Sequence, residues 1–214
     1  MAGSKDISKD TLKTYRTRRN LKKSPEPMGK TSKKKVTGGR TFVIHKHAAS
    51  HLHYDFRLAI DGVLKSWAVP KGPSRKAGDK RLAVVTDDHP MAYGKFEGVI
   101  PDGSYGAGVV MIWDKGTYRN IKKEQGRLVP MHECYKRGTI EITLRGKKLN
   151  GSYALVRTQL HGGDNWLLIK MRDEHTADKA TIRDTVSAIS SRTMKEIAAD
   201  EIDKKTIKRT KRPL

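Results

Sequence analysis

Between Thr41 and Met171 the chain is written in short apolar runs, each soon interrupted by Gly, Asp or Pro. A helix long enough to pack needs apolar positions recurring every three to four residues over ten or more, and that rhythm is missing from this stretch. Short alternating runs suit β-strands, whose side chains change face at every residue. Candidate strands are Thr41–Lys46, Tyr54–Asp61, Gly62–Val69, Arg81–Thr86, Val109–Asp114, Thr139–Leu144, Ser152–Arg157 and Trp166–Met171. Asp61-Gly62 lies between two of them and predicts a tight hairpin, because Gly takes positive φ without steric cost. Asn150-Gly151 and Asp114–Gly116 read as further turns. Many short strands at this spacing predict a mainly β fold, a small antiparallel barrel or sandwich.

The flanks read differently. Residues 1–40 are rich in Lys, Arg, Ser, Thr and Gly and poor in large apolar side chains, which predicts a basic, partly flexible arm. Within it, Thr11 to Leu21 suits a short helix with Leu12, Tyr15 and Arg19 on one side, stopped by Pro25 and Pro27. After the β-rich region, Ala180, Ile182, Val186, Ile189, Met194, Ile197 and Ala198 show helical spacing, predicting one or two helices, and Lys204 to Arg212 is a second basic run expected to fray. The expected organisation is an arm over 1–40, a β-domain over 41–172, and a helical segment with a basic tail over 173–214. No internal repeat is visible.

Lys plus Arg number 45 and Asp plus Glu 23, a formal charge of +22. An excess this large favours a polyanionic partner, nucleic acid first and an anionic membrane surface second, over a merely soluble basic protein. No apolar run has the length of a membrane span, and the N-terminus lacks a hydrophobic signal-peptide core. With Cys134 alone there is no internal disulfide, which fits a reducing compartment; a cytoplasmic, nucleoid-associated protein that does not enter membranes is the expectation.

Four of the eight histidines, His45, His47, His51 and His53, fall within nine residues, and Asp55 follows. Imidazole and carboxylate together suit Mn, Fe, Co, Ni or Zn. On a strand starting at Tyr54, alternation puts His53, Asp55 and Arg57 on one face and Tyr54, Phe56 and Leu58 on the other, so an apolar side backs onto the core while a polar side gathers. His53 and Asp55 can hold a cation, and the planar fork of Arg57 can hold a phosphate bridged to it. Two ligands leave the site incomplete. A third must come from His45, His47 or His51, and spacing does not choose among them. Histidine-rich tracts also bind metal without doing chemistry.

Downstream, Asp87, Asp88 and His89 stand where the fourth candidate strand is expected to end, before Pro90. Strand ends and the loops after them commonly carry site residues. His89 can protonate a leaving oxygen or hydrogen-bond a phosphate, and Lys71 and Arg81 can neutralise charge on phosphate oxygens. Taken singly, each is also an ordinary surface charge. Gly103, Gly106 and Gly108 form a glycine-rich stretch, but no Lys-Ser/Thr pair follows, so it reads as a tight inter-strand connection and not a P-loop.

The stretches KHAASHLHYDFRLAIDGVLKSWAVPKGPS, RLAVVTDDHPMAY and FEGVIPDGSYGAGVVMIWDKGTY strongly resemble the 3′-phosphoesterase domain of bacterial and archaeal DNA ligase D, from about Tyr15 to Met171. The resemblance implies a small β-barrel with short flanking helices and an active site on one concave face. It implies a manganese-dependent enzyme, with Co²⁺ or Zn²⁺ as other metals, that trims 3′ ends of DNA or RNA-tipped DNA during non-homologous end joining. Such an enzyme removes a 3′-terminal ribonucleoside to leave a 3′-phosphate, then removes the phosphate to leave a 3′-hydroxyl. By the same resemblance the metal ligands fall on His47, His53 and Asp55, and catalytic or phosphate contacts on Arg57, Lys71, Arg81, His89 and Tyr93. Substrate contacts fall on Arg19, Glu26, His45, Ser66 and Asp87. Asn20 stands where the family has Asp, His45 where it often has Gln, and Asp87 where Glu is common. An end-joining ligase, a polymerase and Ku-like proteins are the implied partners; no ligase or polymerase module fits into 214 residues, so the chain resembles a free-standing version of the domain. The rival reading is a non-catalytic nucleic-acid-binding module with an incidental metal site.

Overall fold

A hairpin at Asp61-Gly62 starts the architecture. Both residues take positive φ, 50° and 80°, the conformation that matches a two-residue turn to the twist of its strands. It joins β2 (Leu52–Ile60) to β3 (Val63–Val69). The computed structural model describes residues 11–20, 24–29, 40–159, 165–177 and 185–200. The basic stretch at 30–39, the basic run Lys204 to Arg212, and the expected helix positions Ala180 and Ile182 lie outside those residues.

The remaining strands are β1 (Thr41–Ala48), β4 (Lys80–Pro90), β5 (Gly98–Ile100), β6 (Gly108–Asn120), the short pair β7 (Lys123–Glu124) and β8 (Arg127–Leu128), β9 (Thr139–Gly146), β10 (Asn150–Thr158) and β11 (Asn165–Lys170). The main sheet runs β1-β2-β3-β4-β11-β10-β9-β6, and β6 pairs back onto β1. All pairings are antiparallel, so eight strands close into a barrel, with β5 added beside the start of β6. Closure removes the unpaired edges that an open sheet of this kind would expose. The helices are short: α1 (Lys13–Thr17), α2 (Met131–Arg137) and α3 over 194–200.

Alternation sorts the side chains. Phe42 and Ile44 of β1, Phe56 and Leu58 of β2, Trp67 of β3 and Trp166 of β11 share one buried cluster inside the barrel. Trp67 and Trp166 pack edge to face at 5.5 Å and are fully buried; truncating either to Ala removes about 3–5 kcal/mol of stability. A second cluster covers the outer face of β1, β3 and β6. Leu12 and Tyr15 of the arm, Tyr93 and Phe96 around a 3₁₀ turn over Met91–Lys95, and Ile100 of β5 pack there against Val43, Leu64 and Ile112. The helix expected over Thr11 to Leu21 is formed only over Lys13–Thr17, ending before Arg19; Tyr15 packs from within it and Leu12 from its N-cap.

Three local expectations are corrected. Asp114–Gly116 is no turn but lies inside β6, which continues to Asn120. There Asp114 is fully buried and accepts backbone N–H bonds from Lys115, Lys147, Lys148 and Leu149, so its carboxylate ties β6 to the β9–β10 turn. Asn150-Gly151 already belongs to β10, and the turn before it closes through Gly146 N–H to the Leu149 carbonyl. β4 does not end at Thr86 but runs through Asp87, Asp88 and His89 to Pro90. At the C-terminal end one helix, over 194–200, is formed among the described residues, and Val186 instead makes a strand bridge with Thr193.

Candidate active site

The polar face of β2 lies away from the barrel interior. A barrel's outer surface is convex, so the concavity at this site is built by what packs over it: the arm, the 3₁₀ turn and the loop over 101–107. They leave a cavity of about 190 Å³ lined by Arg19, His47, His53, Asp55, Arg57, Thr86, Asp87, His89, Tyr93, Tyr105 and Gly106, with Ala49 and Ile100.

Register decides which histidine joins the His53–Asp55 pair. β1 and β2 pair His47 with His53 and His45 with Asp55. His47, His53 and Asp55 offer ligand atoms that all lie within 4.8 Å of one another. His47 Nδ1 is 3.6 Å from Asp55 Oδ2, and His53 Nε2 is 3.6 Å from Asp55 Oδ1. The other nitrogen of each ring bonds to a backbone carbonyl: His47 Nε2 to Gly106 at 3.0 Å, His53 Nδ1 to His51 at 2.9 Å. A carbonyl only accepts, so these nitrogens carry the protons and the inward-facing ones keep their lone pairs. That is the arrangement a divalent metal requires of neutral imidazoles. The residues present therefore fit a metal ion.

His51 takes part through its carbonyl, with its side chain exposed. His45 is fully buried; its Nδ1 accepts from Arg57 Nε at 3.3 Å, and its pKa is pushed down to about 3 by burial and then by the Arg57 guanidinium.

Arg57 is the hub of the wall. Its NH2 donates to Asp55 Oδ2 at 3.0 Å, its NH1 to Ser66 Oγ at 2.7 Å, and its guanidinium lies 5.0 Å from the Tyr93 ring centre. Burial by itself raises the Asp55 carboxyl, but the Arg57 charge, with His47 and His53, overrides it and holds Asp55 well below the usual carboxylate range.

His89 reaches this wall through a strand irregularity. β3 and β4 pair Ser66 with Thr86 but Leu64 with His89, so β4 holds one extra residue between them. The bulge lets Thr86 and His89, three apart, line the same cavity. His89 Nδ1 lies 2.7 Å from the Asp87 carbonyl and 2.8 Å from Arg57 NH1, and Nε2 lies 3.2 Å from Arg19 NH2, so the ring touches both guanidinium groups. Burial, then Arg57 and Arg19, hold the His89 pKa well below its ordinary value.

The arm is bound into the site. Arg19 donates to Glu26 Oε1 at 3.1 Å and lies 3.4 Å from Asp87 Oδ2, and Glu26, itself buried, accepts from Ser24 Oγ at 2.8 Å. Tyr15 donates its hydroxyl to the Pro27 carbonyl at 2.8 Å and packs edge-on to His89.

Of the residues singled out from the sequence, Arg19, His47, His53, Asp55, Arg57, Asp87, His89 and Tyr93 line the cavity, while Glu26, His45 and Ser66 stand directly behind it as hydrogen-bond partners. Lys71 and Arg81 are not in the wall. Lys71 is exposed just past β3, and Arg81, near the start of β4, donates to Asp79 at 3.0 Å. Thr86, Tyr105 and Gly106 are wall residues the sequence reading passed over. The available signal was an aromatic residue set among Gly103, Gly106 and Gly108, in a loop read there only as a connection.

A closed antiparallel barrel carrying a His/His/Asp cluster beside buried guanidinium groups defines a β-barrel protein with a site able to hold a divalent metal. Comparison with known proteins places it further: residues 45–157 match the DNA Ligase D 3'-phosphoesterase domain family, and the chain belongs to that family. It is 44% identical over 167 residues to the multifunctional non-homologous end joining protein LigD of Pseudomonas aeruginosa, covering 78% of this chain and 19% of that protein. It is 45% identical over 166 residues to the LigD DNA repair protein of Mycobacterium tuberculosis (77% and 20%), and 44% identical over 168 residues to LigD of Mycolicibacterium smegmatis (78% and 21%). The chain thus spans about a fifth of the length of these relatives. Among the described residues, no helix is long and apolar enough to cross a membrane.

Proposed function

We propose that this chain is a metal-dependent phosphoesterase acting at the 3′ ends of DNA, removing a terminal ribonucleoside to leave a 3′-phosphate and then that phosphate to leave a 3′-hydroxyl, in non-homologous end joining. The observation that carries the reading is the convergence of His47 Nδ1, His53 Nε2 and Asp55 on one point of a cavity walled by two buried guanidinium groups and a buried imidazole.

His47, His53 and Asp55 would hold the cation, Mn²⁺ by resemblance with Co²⁺ or Zn²⁺ as alternatives. Such an ion, when bound, supplies Lewis-acid stabilisation of charge on a phosphate oxygen. The chain's own residues do the rest. Arg57 and Arg19 present fixed positive charge on the cavity wall, where it acts on an anion that enters. Neutral His89 lies between them. Burial and then the two guanidinium charges keep the ring unprotonated; a phosphate anion offsets the charges, so substrate arrival favours uptake of a proton that His89 can then give to the leaving oxygen. Tyr93, edge to face with His89 and 5.0 Å from the Arg57 guanidinium, positions the phosphate or sugar. Asp87 and Glu26 fix Arg19 and thereby the arm. Lys71 and Arg81, outside the wall, are assigned to neutralising phosphate charge as the strand approaches. The net charge of +22 supports salt-sensitive affinity for the nucleic acid backbone. A ligase, a polymerase and Ku-like proteins acting at the same break are the expected partners, in the cytoplasm at the nucleoid.

The test is a primer–template carrying one 3′-terminal ribonucleotide, incubated with and without Mn²⁺ and sized. The expected result is metal-dependent shortening at the 3′ end through a 3′-phosphate to a 3′-hydroxyl. Salt-sensitive binding with no product would leave a binding module with an incidental metal site; internal cuts would make the protein an endonuclease.

A further inference from the structure

Tyr105 stands at the mouth of the cavity with 48% of its surface exposed, one of the few large aromatic groups left open. It sits in the loop over 101–107, closed by backbone bonds from Ser104 to Pro101 and from Ala107 to Ser104 and turned by positive φ at Gly103 and Gly106. The ring is not loose. The Arg18 and Arg19 guanidinium centres lie 5.3 and 5.2 Å from its centroid, and Arg18 NH1 donates to its hydroxyl at 3.3 Å. Arg18 is itself held by Asp87 at 3.0 Å. The next residue, Gly106, fixes His47 through its carbonyl. The loop therefore sets the distance between the ring at the rim and the metal-ligand cluster on the cavity wall.

Nothing in the hydrolysis of a phosphate ester calls for an exposed aromatic ring held rigid at the entrance. A nucleobase does: every base has a π-face, and stacking on an aromatic side chain recognises it without regard to sequence. We infer that Tyr105 is the stacking platform for the terminal nucleobase, so that a 3′ end is recognised by its last base on Tyr105 while its phosphate enters the cavity. The inference rests on the end-processing reading. It makes Tyr105 a positioning residue and predicts tolerance of all four bases at the terminus with discrimination against a terminus lacking a base.

The test crosses two changes. A fluorescent primer–template ending in a 3′-phosphate is made with an ordinary terminal nucleotide and with an abasic one. Binding is read by anisotropy, and KM and kcat for phosphate release are measured separately. The proteins are wild type, Tyr105→Ala, Tyr105→Leu and Tyr105→Phe, each checked by thermal unfolding and by calorimetric titration of Mn²⁺. Stacking predicts that Tyr105→Ala and Tyr105→Leu weaken binding of the ordinary end and raise its KM by about tenfold, the typical scale of one base stack. It predicts that Tyr105→Phe restores most of this, and that wild type and Tyr105→Ala bind the abasic end with matching affinity. Equal losses on both ends, or no loss on the ordinary end, would overturn the assignment. A wild type that binds with the predicted base dependence but releases no phosphate would leave Tyr105 standing and refute the enzymatic reading instead.

Discussion

His47 donates its Nε2 proton to the Gly106 carbonyl at 3.0 Å, and that one bond turns Nδ1 toward Asp55. The His47–His53–Asp55 cluster is thus held partly by a loop 59 residues away in the chain. Gly106 has φ +77°, and a side chain there would be strained whatever the space. Gly106→Ala should cost about 1 kcal/mol of stability and, by shifting the strained loop and with it the carbonyl that His47 donates to, weaken divalent-metal binding by roughly tenfold or more. Calorimetric titration with Mn²⁺ checks this; an unchanged affinity would mean that His47 is oriented by β1 alone.

His53 is the most exposed of the three cluster side chains, 22% against 8% for His47 and 7% for Asp55. His53→Ala should therefore fold normally, with a thermal midpoint close to that of the wild type, while metal affinity and metal-dependent phosphate release are lost together. Undiminished release by a folded His53→Ala protein would remove the metal-site assignment.

Arg57 is buried with its charge set against the Asp55 carboxylate. Removing one member of a buried pair leaves the other uncompensated, so Arg57→Met should destabilise the protein by about 3–5 kcal/mol. A divalent cation beside Asp55 would replace part of the missing positive charge. Urea titrations with and without Mn²⁺ should then show partial recovery in the variant beyond that in the wild type.

His89 predicts an acid sensitivity. Burial, Arg57 and Arg19 place its folded-state pKa well below the ordinary 6.5. Between those two values the unfolded chain binds a proton that the folded chain does not, so this contribution to stability is complete above pH 6.5 and falls as the pH drops toward the folded value. His89→Gln should make the stability profile below pH 6.5 less steep, the remaining slope belonging to buried His45, as read from urea midpoints. A profile equally steep in variant and wild type would place the acid sensitivity elsewhere.

The strand pattern, the Asp61-Gly62 hairpin and the sharing of one β2 face by His53, Asp55 and Arg57 were legible from local chemistry alone, because alternation and turn preference depend on a few neighbouring residues. What local chemistry left open was which histidine completes the cluster. The register of β1 against β2 decides it, and register is a long-range property. Distant pairing also turned Asp114 from an apparent turn residue into a buried anchor, carried β4 past Thr86, and aimed His89 into the cavity through a bulge. The same holds for the arm, where the sequence marked Leu12, Tyr15, Arg19 and Glu26, but only packing of Leu12 and Tyr15 over the outer face of the barrel brings Arg19, held by Glu26, into the cavity wall. The sequence by itself therefore determined the kinds of groups and the faces they occupy. Their convergence was decided by the tertiary structure, since it depends on hydrogen bonds and contacts between segments far apart in the chain.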